Sequence, residues 1–146
     1  MNLLKNIISI TCYISATLAY ADSQTTDVWS QLNIQLMNET AGTCVMKDYV
    51  VKHGQLTQSV PPGSLISHQA ATFTMSPIFT SIAIDLYYTC GDDGPIHITV
   101  SQEYVKGVTH VYTEKASHSH AAVTFNKERS VLWNRPAHVG ISFYSD

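Results

Sequence analysis

From Gln31 onward the chain alternates. Leu32, Ile34 and Leu36 take turns with Asn33, Gln35 and Met37, which predicts a half-buried strand of period two. The run "NETAG" then reads as a turn, punctuated by Asn38 and Gly42. "TCVMKDYVV" is rich enough in β-branched and aromatic residues to be a second strand. "KHGQL" turns at Gly54, and "VPPGS" is a firm break, because Pro61 and Pro62 cannot join a ladder. "SHQAATFTM" resumes the extended pattern until Pro77 ends it.

The clearest strand is "SIAIDLYYTC", with Ile82, Ile84, Leu86, Tyr88 and Cys90 on one face and Ala83, Asp85 and Tyr87 on the other. "GDDGP" is a hairpin turn, answered by "IHITVSQEY" with Ile96, Ile98 and Val100 inward. Further runs follow at "VTHVYTE", "SHAAVTFN", "RSVLW" and "HVGISFY". No segment is an amphipathic helix and no internal repeat appears. Eight or nine short strands at this spacing predict an all-β fold, an antiparallel β-sandwich.

Residues 1–21 depart from this pattern. Lys5 gives a positive start, an apolar run follows, and Ala19, Tyr20 and Ala21 supply the small-x-small site of a cleaved signal peptide. The apolar run is too short to span a bilayer, which needs about 20 residues. Residues 22–30 read as a polar N-terminal arm, and 31–146 as one sandwich domain. Of the three cysteines, Cys12 leaves with the leader. Cys44 and Cys90 remain, and two cysteines in an exported chain read as one disulfide clipping the sandwich. The expected destination is extracellular or periplasmic, after export from a bacterial cell.

Charge narrows the partners. Loss of Lys5 takes the formal charge from −3 to −4, and no basic cluster remains, so nucleic acid is excluded as a partner. Charged residues make up 13 % of the chain, against about 25 % in an ordinary domain. Hydroxyls and amides fill the gap. That surface suits membrane headgroups, glycans or a host protein. All seven histidines follow the leader, so full protonation would carry the charge from −4 to +3. Surface binding that strengthens in acid is therefore one expectation.

Candidate chemistry is sparse. His118 and His120 project the same way from a strand, as two imidazoles gripping one copper or zinc ion would. His97, His110 and His138 are the candidate third ligands. A solvated strand face explains the same pair without metal, and no resident cofactor is expected on that reading. Ser64 lacks a nucleophile elbow, and Asp92 with Asp93 sits at a hairpin tip, so no residue argues for an enzyme. Tyr87, Trp133, Asn134 and Arg135 combine large contact area with polar edges and are the candidate ligand-binding residues. Asn38 to Thr40 also fits a glycosylation sequon.

The order "LNIQLMNET", "YVVKHGQL", "PPGSLI" and "AATFTM", within residues 31–76, resembles the opening half of aegerolysin-like secreted β-sandwich proteins. That resemblance implies a sandwich that recognises membrane lipid. It carries no binding residue over to this chain. The sequence thus predicts a secreted, non-enzymatic sandwich displaying a contact surface for membrane lipid, glycan or host protein. A periplasmic metal-binding protein using His118 and His120 is the alternative, and an extracellular enzyme without a recognisable motif the second.

Overall fold

The computed structural model describes residues 31–79, 81–105, 108–115, 121–128 and 136–145. These form ten strands: β1 (Leu32–Asn38), β2 (Cys44–His53), β3 (Gln55–Leu56), β4 (Ser64–Leu65) and β5 (Ala70–Ser76), then β6 (Ser81–Cys90), β7 (Pro95–Val105), β8 (Val108–Lys115), β9 (Ala121–Glu128) and β10 (Ala137–Ser145). The expected all-β sandwich is present as two five-stranded sheets. The first is ordered β3-β5-β1-β10-β9 and the second β4-β2-β6-β7-β8.

Ten strands exceed the expected eight or nine because short segments after Gly54 and Gly63 find partners. Gln55 and Leu56 pair with Ser76 and Met75, while Ser64 and Leu65 pair with Val45 and Cys44. Pairing is also not wholly antiparallel: β1 and β10 lie side by side in parallel, Leu32 opposite Ala137 and Asn38 opposite Phe143. No local pattern signals this, since it joins the first strand to the last. The predicted strand "RSVLW" falls outside the described residues, as do residues 1–30.

The alternation read from the sequence is the alternation of burial. Leu32, Ile34 and Leu36 of the first sheet and Ile82, Ile84, Leu86, Ile96, Ile98 and Val100 of the second are all buried in one core. Tyr88 and Phe143 meet across the two layers, ring centroids 5.5 Å apart. The Tyr88 hydroxyl donates to the Pro62 carbonyl at 2.7 Å, so the polar tip of this core residue is satisfied.

Cys44 and Cys90 form the expected disulfide. They sit directly opposite each other on β2 and β6, both fully buried. The bond therefore staples neighbouring strands of the second sheet and does not clip one layer to the other. With a sequence separation of 46, loop-closure entropy sets an upper value of about 4 kcal/mol. The double substitution Cys44→Ala with Cys90→Ala should lower stability by roughly 2–4 kcal/mol. A lower urea midpoint, with a steeper slope as the uncrosslinked denatured chain expands, would report that loss.

The turn after β1 is organised by one buried amide. Asn38 Nδ2 donates to the carbonyls of Gly42 and Leu65, each at 2.8 Å. Its Oδ1 accepts from the Thr40 amide at 3.0 Å and the Thr40 hydroxyl at 2.7 Å. Every hydrogen-bonding position of the side chain is used. Asn38 and Thr40 are both 0 % exposed, so in the folded protein this sequon is not an acceptor for a glycan.

Candidate functional site

Strand directions collect particular connections at each end of the slab. His53 at the end of β2 lies opposite Ala83, and Ser81 at the start of β6 lies opposite Glu103 near the end of β7. Leu32, at the start of β1, lies opposite Met75 near the end of β5. At this end two corners cross between the layers: β2 passes to β3 through Gly54, and β5 passes to β6 through residues 77–80. The disulfide and the Asn38 turn occupy the other end.

The two corners brace each other. Gly54 has φ of 86°, and a Cβ there would stand 2.7 Å from the Ser76 carbonyl oxygen, with Ile82 next nearest. Only glycine fits both the left-handed backbone and that close approach. Ser76 and Ile82 are the roots of the 77–80 corner. An antiparallel bridge between Ile78 and Ser81 closes this corner, with Phe79 just beyond Ile78.

Phe79 is held there in the open. It is 97 % exposed, beside Ile78 at 49 %. Its φ is 63°, a left-handed conformation that bulky side chains rarely adopt. Alternation does not reveal this pair, because Pro77 ends the strand and leaves both residues outside it. The signal was present: "PIF" sets two large apolar residues in a turn, outside any alternating register and without a charge from Ser76 to Ile82.

The outward face of the second sheet carries the charged groups. The Asp85 carboxylate, 4 % exposed, accepts from Lys52 Nζ at 2.6 Å and from the Thr99 hydroxyl at 2.8 Å. His97 Nε2 lies 3.7 Å away. Asp85 was expected outward, and it is on the outer face, but roofed by these neighbours. Burial alone would raise its pKa. The hydrogen bonds from Lys52 and Thr99, with the pull of Lys52 and His97, outweigh that and hold the carboxyl below its ordinary value. Lys52 is raised in return, chiefly by its hydrogen bond to Asp85.

A depressed carboxyl stabilises the fold above its unfolded pKa, about 3.9, and that stability is lost as pH falls through the lower folded value. The melting-temperature gap between wild type and Asp85→Asn should thus be constant from about pH 5 to 9 and close below about pH 4. A gap that narrows already between pH 7 and 5 would contradict the assignment. Chemically the group is spent on a structural tie, on a flat face and not across a cleft. Asp93 is likewise engaged, accepting from the Ser145 hydroxyl at 2.8 Å in the turn where it was expected.

Of the sequence-predicted contact residues, Tyr87 lies on this face, stacked on His97 with centroids 4.3 Å apart and planes 14° from parallel. Trp133, Asn134 and Arg135 lie outside the described residues, as do His118 and His120. The candidate third metal ligands diverge. His97 and His110 stand on β7 and β8 of the second sheet, whereas His138 stands on β10 of the first. Among the described residues no group of three or more His, Cys, Asp or Glu is gathered to hold an ion.

No protein-family model matches the chain, and no curated protein matches it. Solved structures do. The lipid binding protein Nakanori superposes with a TM-score of 0.57 at 10 % identity, over 78 % of this chain and 70 % of its own. IP-1A from Alcaligenes faecalis superposes with a TM-score of 0.58 at 8 % identity, over 83 % of this chain and 94 % of its own. At such identities the likeness shows a shared sandwich fold.

Proposed function

We propose that this protein is a non-enzymatic, exported β-sandwich that binds membrane lipid through the corner bearing Ile78 and Phe79. The observation that carries the reading is Phe79 itself, where near-complete exposure and a strained backbone coincide. An exposed phenylalanine gains nothing for the fold, and a left-handed bulky residue costs it something. Strain kept at a displayed apolar group points to use outside the fold. A lipid interface is a fitting acceptor, because Ile78 and Phe79 are adjacent, exposed apolar residues of one corner and can enter it together. The fold shared with a protein described as lipid binding supports the reading, as does the aegerolysin-like order of residues 31–76.

The corner carries no charge, so affinity comes from transfer of apolar surface and not from ion pairing. The mature chain, formally −4, is repelled by anionic surfaces at neutral pH. Co-sedimentation with phosphatidylcholine vesicles should therefore show binding that is indifferent to salt. Adding phosphatidylserine should weaken it at neutral pH and weaken it less in acid, as histidine protonation removes the repulsion. Absence of sedimentation with either vesicle would refute the proposal. The cysteine pairing fits an extracellular or periplasmic destination. No described helix is long and apolar enough to cross a membrane.

A further inference from the structure

The outward face of the first sheet differs from that of the second. β1 presents Asn33, Gln35 and Met37 outward, and β10 presents His138, Gly140, Ser142 and Tyr144. Their inward neighbours Ile34, Leu36, Val139, Ile141 and Phe143 are buried. β5 adds Thr72 and Thr74 opposite Gln35 and Asn33, and β9 adds Thr124 and Asn126 opposite Ser142 and Gly140. None of these residues is Asp, Glu, Lys or Arg. The next outward register position on β9 is Glu128, opposite His138 at the margin of this face, and the Lys52 and Asp85 pair lies on the opposite face.

At the centre of this face the side chains part. Gln35, Gly140 and Asn126 stand in one row across β1, β10 and β9, and Gly140 contributes no side chain. The gap is an open trough of about 340 Å3, lined by Asn33, Gln35, Thr72, Asn126, His138 and Gly140, with Val139. That volume lies within the small-molecule range of roughly 300–1,000 Å3. The Thr74 hydroxyl donates to Asn33 Oδ1 at 2.8 Å, which leaves the Asn33 amide hydrogens for the trough. Gln35, Asn126 and His138 add further polar groups to its lining.

We infer that this trough binds a neutral, hydroxyl-rich ligand: a short uncharged glycan. Three features select that chemistry. Primary amides present a donor and an acceptor side by side, matching a hydroxyl that both gives and takes a hydrogen bond. No lysine or arginine lines the trough, which disfavours phosphate, sulfate and carboxylate, since these need charge-assisted partners. Tyr144, 38 % exposed, stands four residues along β10 on the same face, about 13 Å from Gly140 at strand rise. It offers an apolar platform at the distance of a short oligosaccharide. The site is separate from the Phe79 corner and does not depend on it.

The test uses an array of neutral hexose and N-acetylhexosamine oligosaccharides, followed by saturation-transfer NMR with the strongest hit. Gly140→Val is the diagnostic variant. Gly140 is not in the left-handed region, and its added Cβ would meet Asn126 Cβ at an ordinary 3.6 Å. The valine should fill the trough and keep the fold, with an unchanged or higher melting temperature. Glycan affinity should fall at least tenfold in Gly140→Val and in Gln35→Ala, while vesicle binding by both remains that of wild type. Phe79→Asn should do the reverse, so failure of the glycan site and failure of the lipid reading are told apart. No bound neutral glycan, binding only to acidic glycans, or affinity unchanged in both trough variants would each overturn the inference.

Discussion

Phe79→Asn should cost the protein its membrane affinity while making its fold more stable. The two effects have opposite signs because the same residue supplies contact and strain. Burying a phenylalanine side chain is worth roughly 1.5–3 kcal/mol, so its loss should weaken vesicle binding by about 10- to 100-fold. In the free protein Phe79 is 97 % exposed, so its replacement removes almost no intramolecular packing. Its left-handed backbone, φ 63°, costs an ordinary residue roughly 1–2 kcal/mol, and asparagine is among the few side chains that tolerate it. A gain of about 0.5–1 kcal/mol in unfolding free energy is the expected net.

Asparagine is the better choice here than glycine, which would also relieve the strain but loosen the unfolded chain. Phe79→Ala separates the terms further: binding should fall as in the asparagine variant, without the gain in stability. Phe79→Trp should retain binding, since an indole is at home at the headgroup boundary. The readouts are vesicle co-sedimentation and urea unfolding on the same preparations. If Phe79→Asn binds vesicles as wild type does, the corner is not the contact surface.

The two-layer fold was legible because its signal is local. In β6, Ile82, Ile84, Leu86, Tyr88 and Cys90 alternate strictly, and all five are buried. Period-two alternation also gave β1, β7 and the inner face of β9, where Ala121 is buried and Val123 and Phe125 pack on the core. What alternation does not encode is which strands become neighbours. The parallel pairing of β1 with β10 joins residues over a hundred positions apart, such as Leu32 and Ala137. The location of the disulfide within one sheet depends on the same long-range choice. Both cysteines face inward either way, and only the pairing of β2 with β6 decides what they tie together.

The candidate sites were less legible, for a physical reason. Strand patterning says which way a side chain points, not what stands beside it. Tyr87 was correctly placed outward, but its stacking on His97 follows from the β6–β7 register. The polar trough is invisible in any single strand. Asn33, Gln35, Asn126 and Gly140 come from three strands, and Gly140 matters only because it lies between two amides. Phe79 is the opposite case. Its exposure could have been suspected from a turn carrying two apolar residues, since turns are ordinarily filled by Gly, Asn, Asp, Pro or Ser.

Asn38→Asp, a change of one atom, should bring the protein close to unfolding. The amide Nδ2 donates to the buried Leu65 carbonyl and the half-buried Gly42 carbonyl, and a carboxyl oxygen in its place would face both oxygens. The Gly42 carbonyl keeps the Thr40 hydroxyl as a donor at 3.1 Å, but the Leu65 carbonyl left unpaired in the interior costs about 1–3 kcal/mol and a charge beside it costs more, so a loss of about 3–5 kcal/mol is expected. Domains of this size are stable by only about 5–15 kcal/mol. Urea unfolding measures the loss, and a cost below about 1 kcal/mol would mean that water reaches these groups. The same geometry decides the sequon. A sugar joined to Nδ2 replaces one of the two donated hydrogens and needs space where Asn38 has none. A chain glycosylated there before folding could not close the β1–β2 turn onto Leu65. Material expressed through a eukaryotic secretory route should therefore be folded only in the fraction whose intact mass shows an unmodified Asn38.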